Sequence, residues 1–172
     1  MMDGVRHLFK GGFPVGRSGK IIVFITILAV AAFAYVYISA QLGATLVSIE
    51  EENAALRPEL FESVMEALNN GDFASNQFSV PDDVSAENYS FVTYTVQLQG
   101  VNPLPAEWAI LTLAPVSGDV VLVQGDPQTI PPFGKTIVSA TLLTRAHTGT
   151  ERSLWVEYYV LGRALNAAVR PA

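Results

Sequence analysis

The chain has 172 residues, a formal net charge of −6, hydrophobic residues making up 50% of the total, and no cysteine. The missing cysteine excludes disulfides, thiolate metal sites and cysteine nucleophiles. The acidic balance argues against nucleic acid as a partner and against docking on anionic lipid.

An apolar run near the N-terminus dominates the sequence. Between Lys20 and Glu50 there are 29 residues without a charge, and residues 21–42 are apolar apart from three polar side chains. A helix of that length covers about 33 Å, against roughly 30 Å for the hydrocarbon core of a bilayer. We therefore expect a single transmembrane helix over residues 21–42, in contact with the lipid bilayer.

Charge gives the expected orientation of this helix. Residues 1–20 carry four basic side chains and one acid, whereas the rest of the chain carries six basic and fifteen acidic side chains. Positive residues next to a span stay in the cytoplasm, so we expect a cytoplasmic tail over 1–20 and an extracytoplasmic part from residue 43 onward. A cleaved signal peptide is the alternative. A cut after Ala40 would put Ile38 at the −3 position, where a small residue is needed.

Residues 43–70 are predicted to form a helical stalk. Pro58 suits a first helical position, Glu59 suits the positive end of the helix dipole, and Gly71 follows as a stop. The apolar side chains after Pro58 recur at helical spacing. They are Leu60, Phe61, Val64, Met65 and Leu68.

The part of the stalk before Pro58 has the spacing of a coiled-coil seam. The residues that would form it are Leu46, Ile49, Asn53 and Leu56, with Asn53 at an a-type position. A homodimer through this stalk is therefore one hypothesis. The seam is shorter than three to four heptads and Pro58 interrupts it, so a helix packed on its own domain is the simpler interpretation.

Residues 71–88 are predicted to be a linker, because Pro81 and clustered Asp and Ser residues break any periodicity. Asp82, Asp83 and Glu87 carry the oxygen ligands that calcium prefers. The D-x-D-x-D-G loop of known calcium sites is absent, so a solvated turn is the more ordinary interpretation.

From Tyr89 onward the sequence alternates as β-strands do. The predicted strands are 91–98, 108–113, 120–124, 135–144 and 153–161, separated by turns rich in Gly, Pro and Asn. No helix-length segment separates them, which favours an antiparallel β-sandwich over residues 89–164 and a C-terminal tail over 165–172. The expected fold class is mainly β: one transmembrane helix, a short juxtamembrane helix, and a sandwich with an immunoglobulin-like or fibronectin-like cadence.

The last predicted strand has an aromatic stripe. One face carries apolar side chains that suit a core, and the other carries Trp155, Tyr159 and Leu161. An exposed stripe of this kind is a candidate partner-binding surface. The alternative is that the helix at 58–70 or a second sheet covers it.

No motif in the sequence identifies a reaction. His147 falls in a predicted hairpin loop, and neither a G-x-S-x-G elbow nor a phosphate-binding loop is present. We therefore expect neither catalysis nor a cofactor, and a hydrolase is the least favoured class. The sequence favours a single-pass cell-membrane protein whose sandwich is a structural or protein-interaction subunit of a cell-envelope assembly, with a protein partner in the same membrane or envelope. A surface module that binds glycan or calcium is the alternative.

Overall fold

The computed structural model describes residues 17–71, 84–101, 103–146 and 148–171. The chain divides into two units, Met1–Ser39 and Ala40–Ala172. In the first unit, helix α1 spans Arg17–Ile38. Its stretch Gly19–Ile38 is long and apolar enough to cross a membrane, as a membrane anchor or a signal sequence would be.

The second unit is a β-sandwich of two four-stranded antiparallel sheets with one additional α-helix in its described part. The first sheet has the strand order β1-β2-β6-β4, and the second has the order β5-β3-β7-β8. The bounds are β1 Leu42–Asn53, α2 Pro58–Asn70, β2 Tyr89–Gly100, β3 Ala106–Leu113, β4 Val120–Gln124, β5 Gln128–Ile130, β6 Lys135–Arg145, β7 Leu154–Val160 and β8 Arg163–Ala168. The predicted fold class is confirmed. The immunoglobulin-like cadence stays a prediction.

The main core lies between the two sheets and follows the alternation of the sequence. On β2 and β7 every second side chain is apolar and points inward, as the period of two in a strand requires. These inward residues are Val92, Tyr94, Val96, Leu98, Val156, Tyr158 and Val160, all of which are buried. The five predicted strands correspond to β2, β3, β4, β6 and β7, so their prediction is confirmed.

The predicted helix over residues 43–56 is wrong, because residues 43–53 belong to strand β1 and Ala54–Leu56 form a short 3-10 turn. Strand β1 pairs with β2 along its whole length, from Leu42 opposite Gly100 to Asn53 opposite Ser90. Leu42 and Ala44 are buried and Leu46 packs on the same core, so the segment also has a period of two. The four-and-three spacing of the apolar residues is accidental.

The coiled-coil hypothesis fails together with that helix. Leu46, Ile49 and Asn53 lie on a strand that is already paired with β2, and they form no helical seam. The side chain of Asn53 caps a short 3-10 turn, where its Oδ1 accepts a hydrogen bond from the amide of Ala55 at 2.8 Å. Leu56 ends that turn and is exposed. The dimer stalk is therefore withdrawn.

Helix α2 confirms the prediction for residues 58–70. It begins with Pro58 and ends where Gly71 adopts a left-handed φ of 76°, with its amide donating to Leu68 at 3.1 Å. Its apolar face packs on the outer surface of the first sheet, in a second cluster that includes Phe61, Val64, Met65, Tyr89, Phe91, Val120 and Leu143. The rings of Phe61 and Tyr89 are in contact, with centroids 5.5 Å apart.

The sequence missed two further strands. β5 lies in a segment predicted to be a loop, and β8 covers the start of the predicted C-terminal tail. Beyond β8 the chain returns to β1, where the amide of Leu46 donates to the carbonyl of Arg170 at 2.8 Å. The last described residues therefore belong to the sandwich and are not a free tail.

Candidate partner-binding surface

The outer face of β7 carries two aromatic side chains on either side of a carboxylate. Because Val156, Tyr158 and Val160 fill the core, strand alternation turns the intervening residues outward. We name these residues, Trp155, Glu157 and Tyr159, the β7 row. Tyr159 is 41% exposed and Trp155 is half-buried. The structure thus places two of the three predicted binding residues on one surface.

A hydrogen bond positions the side chains of the β7 row, and the small residues on the neighbouring strand leave the row exposed. The indole Nε1 of Trp155 donates a hydrogen bond to Oε1 of Glu157 at 2.9 Å. On the neighbouring edge strand β8, the residues opposite the row are small or short. They are Ala164, Asn166 and Ala168, all exposed. The two strands therefore expose aromatic rings, a carboxylate and an amide on one face.

Helix α2 does not cover this surface. Its buried side chains contact the first sheet, whereas the β7 row belongs to the second. The alternative that the helix at 58–70 buries the aromatic stripe is therefore wrong.

Leu161 does not belong to the row. Strand β7 ends at Val160, which pairs with Arg163, so Leu161 and Gly162 form a two-residue turn. Both turn residues have positive φ, 48° and 78°, as a type I′ turn requires. The Leu161 side chain is exposed at this turn. The predicted triplet is therefore two residues on a strand and one at a hairpin tip.

Sequence reasoning did not single out Trp108, which lies beside the row. It sits in a bulge of β3, where the pairing with β7 shifts between Glu107 and Ile110. Together with Glu107, Thr129, Tyr159 and Gly162 it lines an open depression of about 610 Å³. Ala109, Leu111 and Leu113 follow a period of two, which places Trp108 on the opposite face, so the sequence contained a signal for its outward ring.

A second concavity of about 360 Å³ lies between α2 and the first sheet. Its lining residues are Glu50, Glu52, Arg57, Leu60, Val64, Phe91, Thr93, Leu122 and Thr141. Arg57 pairs with Glu52 at 2.7 Å, and the hydroxyls of Thr93 and Thr141 bond each other at 2.9 Å. Because the polar side chains of these two pairs already bind each other, we place no binding site in this concavity.

A buried ion pair ties the turn before β4 to the loop before β7. Nε and Nη2 of Arg152 donate to the two carboxylate oxygens of Asp119, at 2.7 and 2.9 Å, and the amide of Val116 donates to the same carboxylate. Nη1 of Arg152 donates to the carbonyls of Gly149 and Glu151. Local sequence patterns could not indicate this pair, because its two members lie 33 positions apart. With its polar groups satisfied inside the fold, the pair has a structural role.

Burial and hydrogen bonding act in opposite directions on Asp119. Desolvation by burial raises the pKa of its carboxyl, while hydrogen bonds from Arg152, Thr144 and the Val116 amide lower it. The hydrogen bonds prevail, so the pKa of Asp119 lies below its usual range and the carboxylate is ionised at neutral pH.

The geometry does not test the predicted calcium site, most of which lies outside the described residues. Among the residues that the structure describes, no group of three or more His, Cys, Asp or Glu side chains could hold a metal ion. Glu87 lies in a short 3-10 turn before β2, while Asp82, Asp83 and His147 fall outside the described residues. The calcium site stays a prediction.

The fold is that of a β-sandwich protein with an apolar N-terminal helix. No model of a protein family matches the chain, and no curated protein matches it. It is similar to the cupredoxin domain of amoB from Nitrosocaldus yellowstonii, with 16% identity, a TM-score of 0.34, and coverage of 76% of this chain and 88% of that one. It is also similar to an uncharacterized beta-sandwich protein from Clostridium difficile 630, with 7% identity, a TM-score of 0.30, and coverage of 76% and 86%. Similarity at this level concerns the fold alone.

Proposed function

We propose that this protein is a single-pass membrane protein that displays its β-sandwich outside the cytoplasm and binds a protein partner of the cell envelope. Binding, and not catalysis, is the role that we assign to the sandwich. The length and composition of α1 support the anchor. The four basic side chains of residues 1–20 support an orientation with the N-terminus inside.

The exposed β7 row is the observation on which the binding role rests. Tyr and Trp are enriched where proteins meet, because their large rings bury much apolar area while their polar atoms keep hydrogen bonds. Glu157 and the neighbouring Glu107 add negative charge to the same face. We therefore expect the partner to present apolar side chains flanked by Lys or Arg.

Replacing Tyr159 with alanine is expected to release the partner without unfolding the sandwich. A central aromatic residue in an interface contributes about 2 kcal/mol or more, so the affinity should fall by roughly 30-fold. An exposed side chain away from the core contributes little to folding. The measurement is co-purification of the tagged full-length protein from native membranes in mild detergent, with mass spectrometry of the bound proteins.

The matched control is Ile137→Ala, which removes an exposed apolar side chain from the first sheet. It should keep every partner that the unmodified protein keeps. Near-ultraviolet circular dichroism checks that both variants are folded. An unchanged partner set in the folded Tyr159→Ala variant would show that the β7 row is not the binding surface.

Glycan binding is the second candidate, and the depression beside Tyr159 favours it. A sugar ring could stack on an aromatic face there while Glu107 accepts hydrogen bonds from its hydroxyls. A glycan screen on the full-length protein in detergent separates the two candidates. Sugar binding that is lost in Tyr159→Ala, in a protein that purifies without partners, would replace the protein-binding role.

A further inference from the structure

One end of the sandwich gathers several features that folding alone does not explain. We name it the proximal end: the start of β1, the segments that follow β2 and β5, the start of β3, and the turn between β7 and β8. In the first sheet, Leu42 lies opposite Gly100 and Gln99 lies opposite Lys135. In the second sheet, the start of β3 pairs with the ends of β5 and β7, where Ala106 lies opposite Ile130 and Glu107 lies opposite Tyr159. The loop after β5 is bonded to the end of β2, where the amide of Gly100 donates to Gly134 at 2.9 Å.

Large apolar side chains are exposed to solvent at the proximal end. Val101 follows β2, Phe133 follows β5, Leu161 forms the β7–β8 turn and Trp108 lies near the start of β3. Each of the four is more than half exposed. They come from four different segments, so the apolar character belongs to this end of the sandwich and to no single strand.

Three of these residues are also held in a strained backbone conformation. Among the described residues, the non-glycine residues with positive φ are Trp108, Phe133 and Leu161, at 54°, 55° and 48°. A side chain with a Cβ is unfavourable there, and such strain concentrates at functional sites. All three are exposed apolar residues at the same end.

The two turns would fold better with other residues. A two-residue turn with positive φ at both positions favours Asn-Gly, but the chain has Leu161-Gly162. The turn Pro131–Gly134 is closed by the Gly134 amide, which donates to Pro131 at 2.9 Å. Its third position favours Gly or Asn but holds Phe133. A surface that takes up apolar side chains would account for both choices.

Charge is distributed unevenly along the sandwich. Lys135 and Arg163 adjoin the strained turns and are exposed, with Glu107 as the nearby acid. The acids of β1 and α2 and the acid before β2 lie around the start of β2, at the opposite end. They are Glu50, Glu51, Glu52, Glu59, Glu62, Glu66 and Glu87. The net negative charge of the whole chain does not reflect this separation. It therefore does not argue against contact between the proximal end and anionic lipid.

We propose that the proximal end docks on the surface of the bilayer that holds α1, and this inference rests on the anchoring role proposed above. Residues 39–41 alone connect α1 to β1, and an extended connection of that length reaches about 14 Å. An anchored chain therefore keeps the start of β1 close to the lipid headgroups. Phe133, Leu161 and Trp108 enter the interfacial layer, where aromatic rings are favoured, while Lys135 and Arg163 face anionic headgroups.

The two tryptophans of the chain, Trp108 and Trp155, provide the test. The Trp155→Phe variant leaves Trp108 as the single reporter, and Trp108→Phe leaves Trp155, farther along the second sheet. The full-length variants are reconstituted in vesicles of phosphatidylcholine with a minority of phosphatidylglycerol. Lipids brominated near the headgroup end of their acyl chains serve as quenchers. Trp108 is expected to lose most of its emission in brominated vesicles, and Trp155 to keep it.

Two sets of variants test the charges and the apolar tips separately. Neutralising Lys135 or Arg163 to Gln should lower the ratio of docked to free sandwich by about fivefold each. Arg145→Gln, the same change at the opposite end of β6, should leave the ratio unchanged. Leu161→Asn creates the favoured Asn-Gly turn, so it should reduce the quenching of Trp108 while the melting temperature stays the same or rises.

The outcomes are distinguishable from a failure of the anchor. A protein that does not float with the vesicles would refute the anchoring role of α1. A protein that floats, but whose Trp108 is quenched no more than Trp155, would overturn the docking proposal alone. Quenching that survives Leu161→Asn, with a lowered melting temperature, would show that Leu161 is needed for folding and would also overturn it. Protection of Trp108 only by an added protein partner would assign the proximal end to that partner instead.

Discussion

Replacing Asp119 with alanine is expected to lower the free energy of unfolding by about 3–5 kcal/mol, because it leaves the charge of Arg152 buried without a counter-ion. The Asp119 and Arg152 side chains are only 0% and 3% exposed, and two hydrogen bonds join them. Urea unfolding of the full-length protein in detergent, followed by near-ultraviolet circular dichroism, measures the effect. The β3–β4 turn and the β6–β7 loop should loosen together.

The chain contains a matched control for this prediction. Glu52 and Arg57 form an ion pair with the same N···O distance of 2.7 Å, but their side chains are 38% and 58% exposed. An exposed pair contributes about 0–1 kcal/mol, so Glu52→Ala should be nearly neutral. Equal losses in the two variants would show that burial does not set the cost. Replacing Asp119 and Arg152 together by apolar residues should recover part of the loss.

The same ion pair makes stability depend on pH in a defined direction. The pKa of Asp119 in the folded protein is lowered from its usual value of 3.8. Its contribution to stability is therefore fully present above that value and is lost as the pH falls through the folded pKa. Subtracting the stability curve of Asp119→Asn from that of the unmodified protein isolates the contribution. A difference that grows toward acid pH would contradict the assignment.

Replacing Phe61 with alanine is expected to cost about 3–5 kcal/mol and to release α2 from the first sheet. Phe61 is buried, and its ring contacts that of Tyr89 in the cluster that attaches the helix. The variant leaves a cavity between α2 and the first sheet. Because α2 is attached through this apolar face, the loss of the ring weakens its attachment. Hydrogen exchange of the α2 amides, measured together with urea unfolding, should show faster exchange across the helix.

Leu60 provides the comparison on the same helix. It precedes Phe61 but lines the concavity between α2 and the first sheet and is substantially exposed. Leu60→Ala should therefore cost well under half as much free energy of unfolding. Similar losses for the two variants, or unchanged exchange of the α2 amides in Phe61→Ala, would mean that other contacts attach the helix.

The sequence predicted the strands whose two faces differ in polarity and missed those whose pairing decides their structure. β2 and β7 alternate clearly, so their inward residues could be assigned. β1 contains Leu42, Ala44 and Leu46 with a period of two, but its other apolar residues fit helical spacing equally well. Its partner β2 begins more than 30 residues later, and local periodicity cannot reveal such pairing. β8 has helix-favouring alanines and is a strand because a two-residue turn pairs it with β7.

The candidate site was predictable to the same extent as the fold, since local alternation could be read and contacts between distant segments could not. Alternation alone placed Trp155 and Tyr159 on the outer face of β7. Alternation also placed Trp108 outward, but the bulge around it and the partnership of Asp119 with Arg152 both depend on contacts between distant segments, the ion pair joining residues 33 positions apart. Net charge also misled, because the acids of β1 and α2 lie at one end of the sandwich, whereas Lys135 and Arg163 lie at the other.

The topology of the full-length protein in intact cells is the most direct test of the proposed membrane anchoring and orientation. The chain has no cysteine, so single cysteines can report accessibility without background. Leu56→Cys places a thiol on the exposed surface of the sandwich, and Asp3→Cys places one in the N-terminal tail. We predict that a membrane-impermeant maleimide labels Leu56→Cys on intact cells and labels Asp3→Cys only after permeabilisation, with the protein in the membrane fraction at its full mass. The reverse labelling pattern would contradict the proposed orientation, and a truncated protein released from the membrane would contradict the proposed anchor.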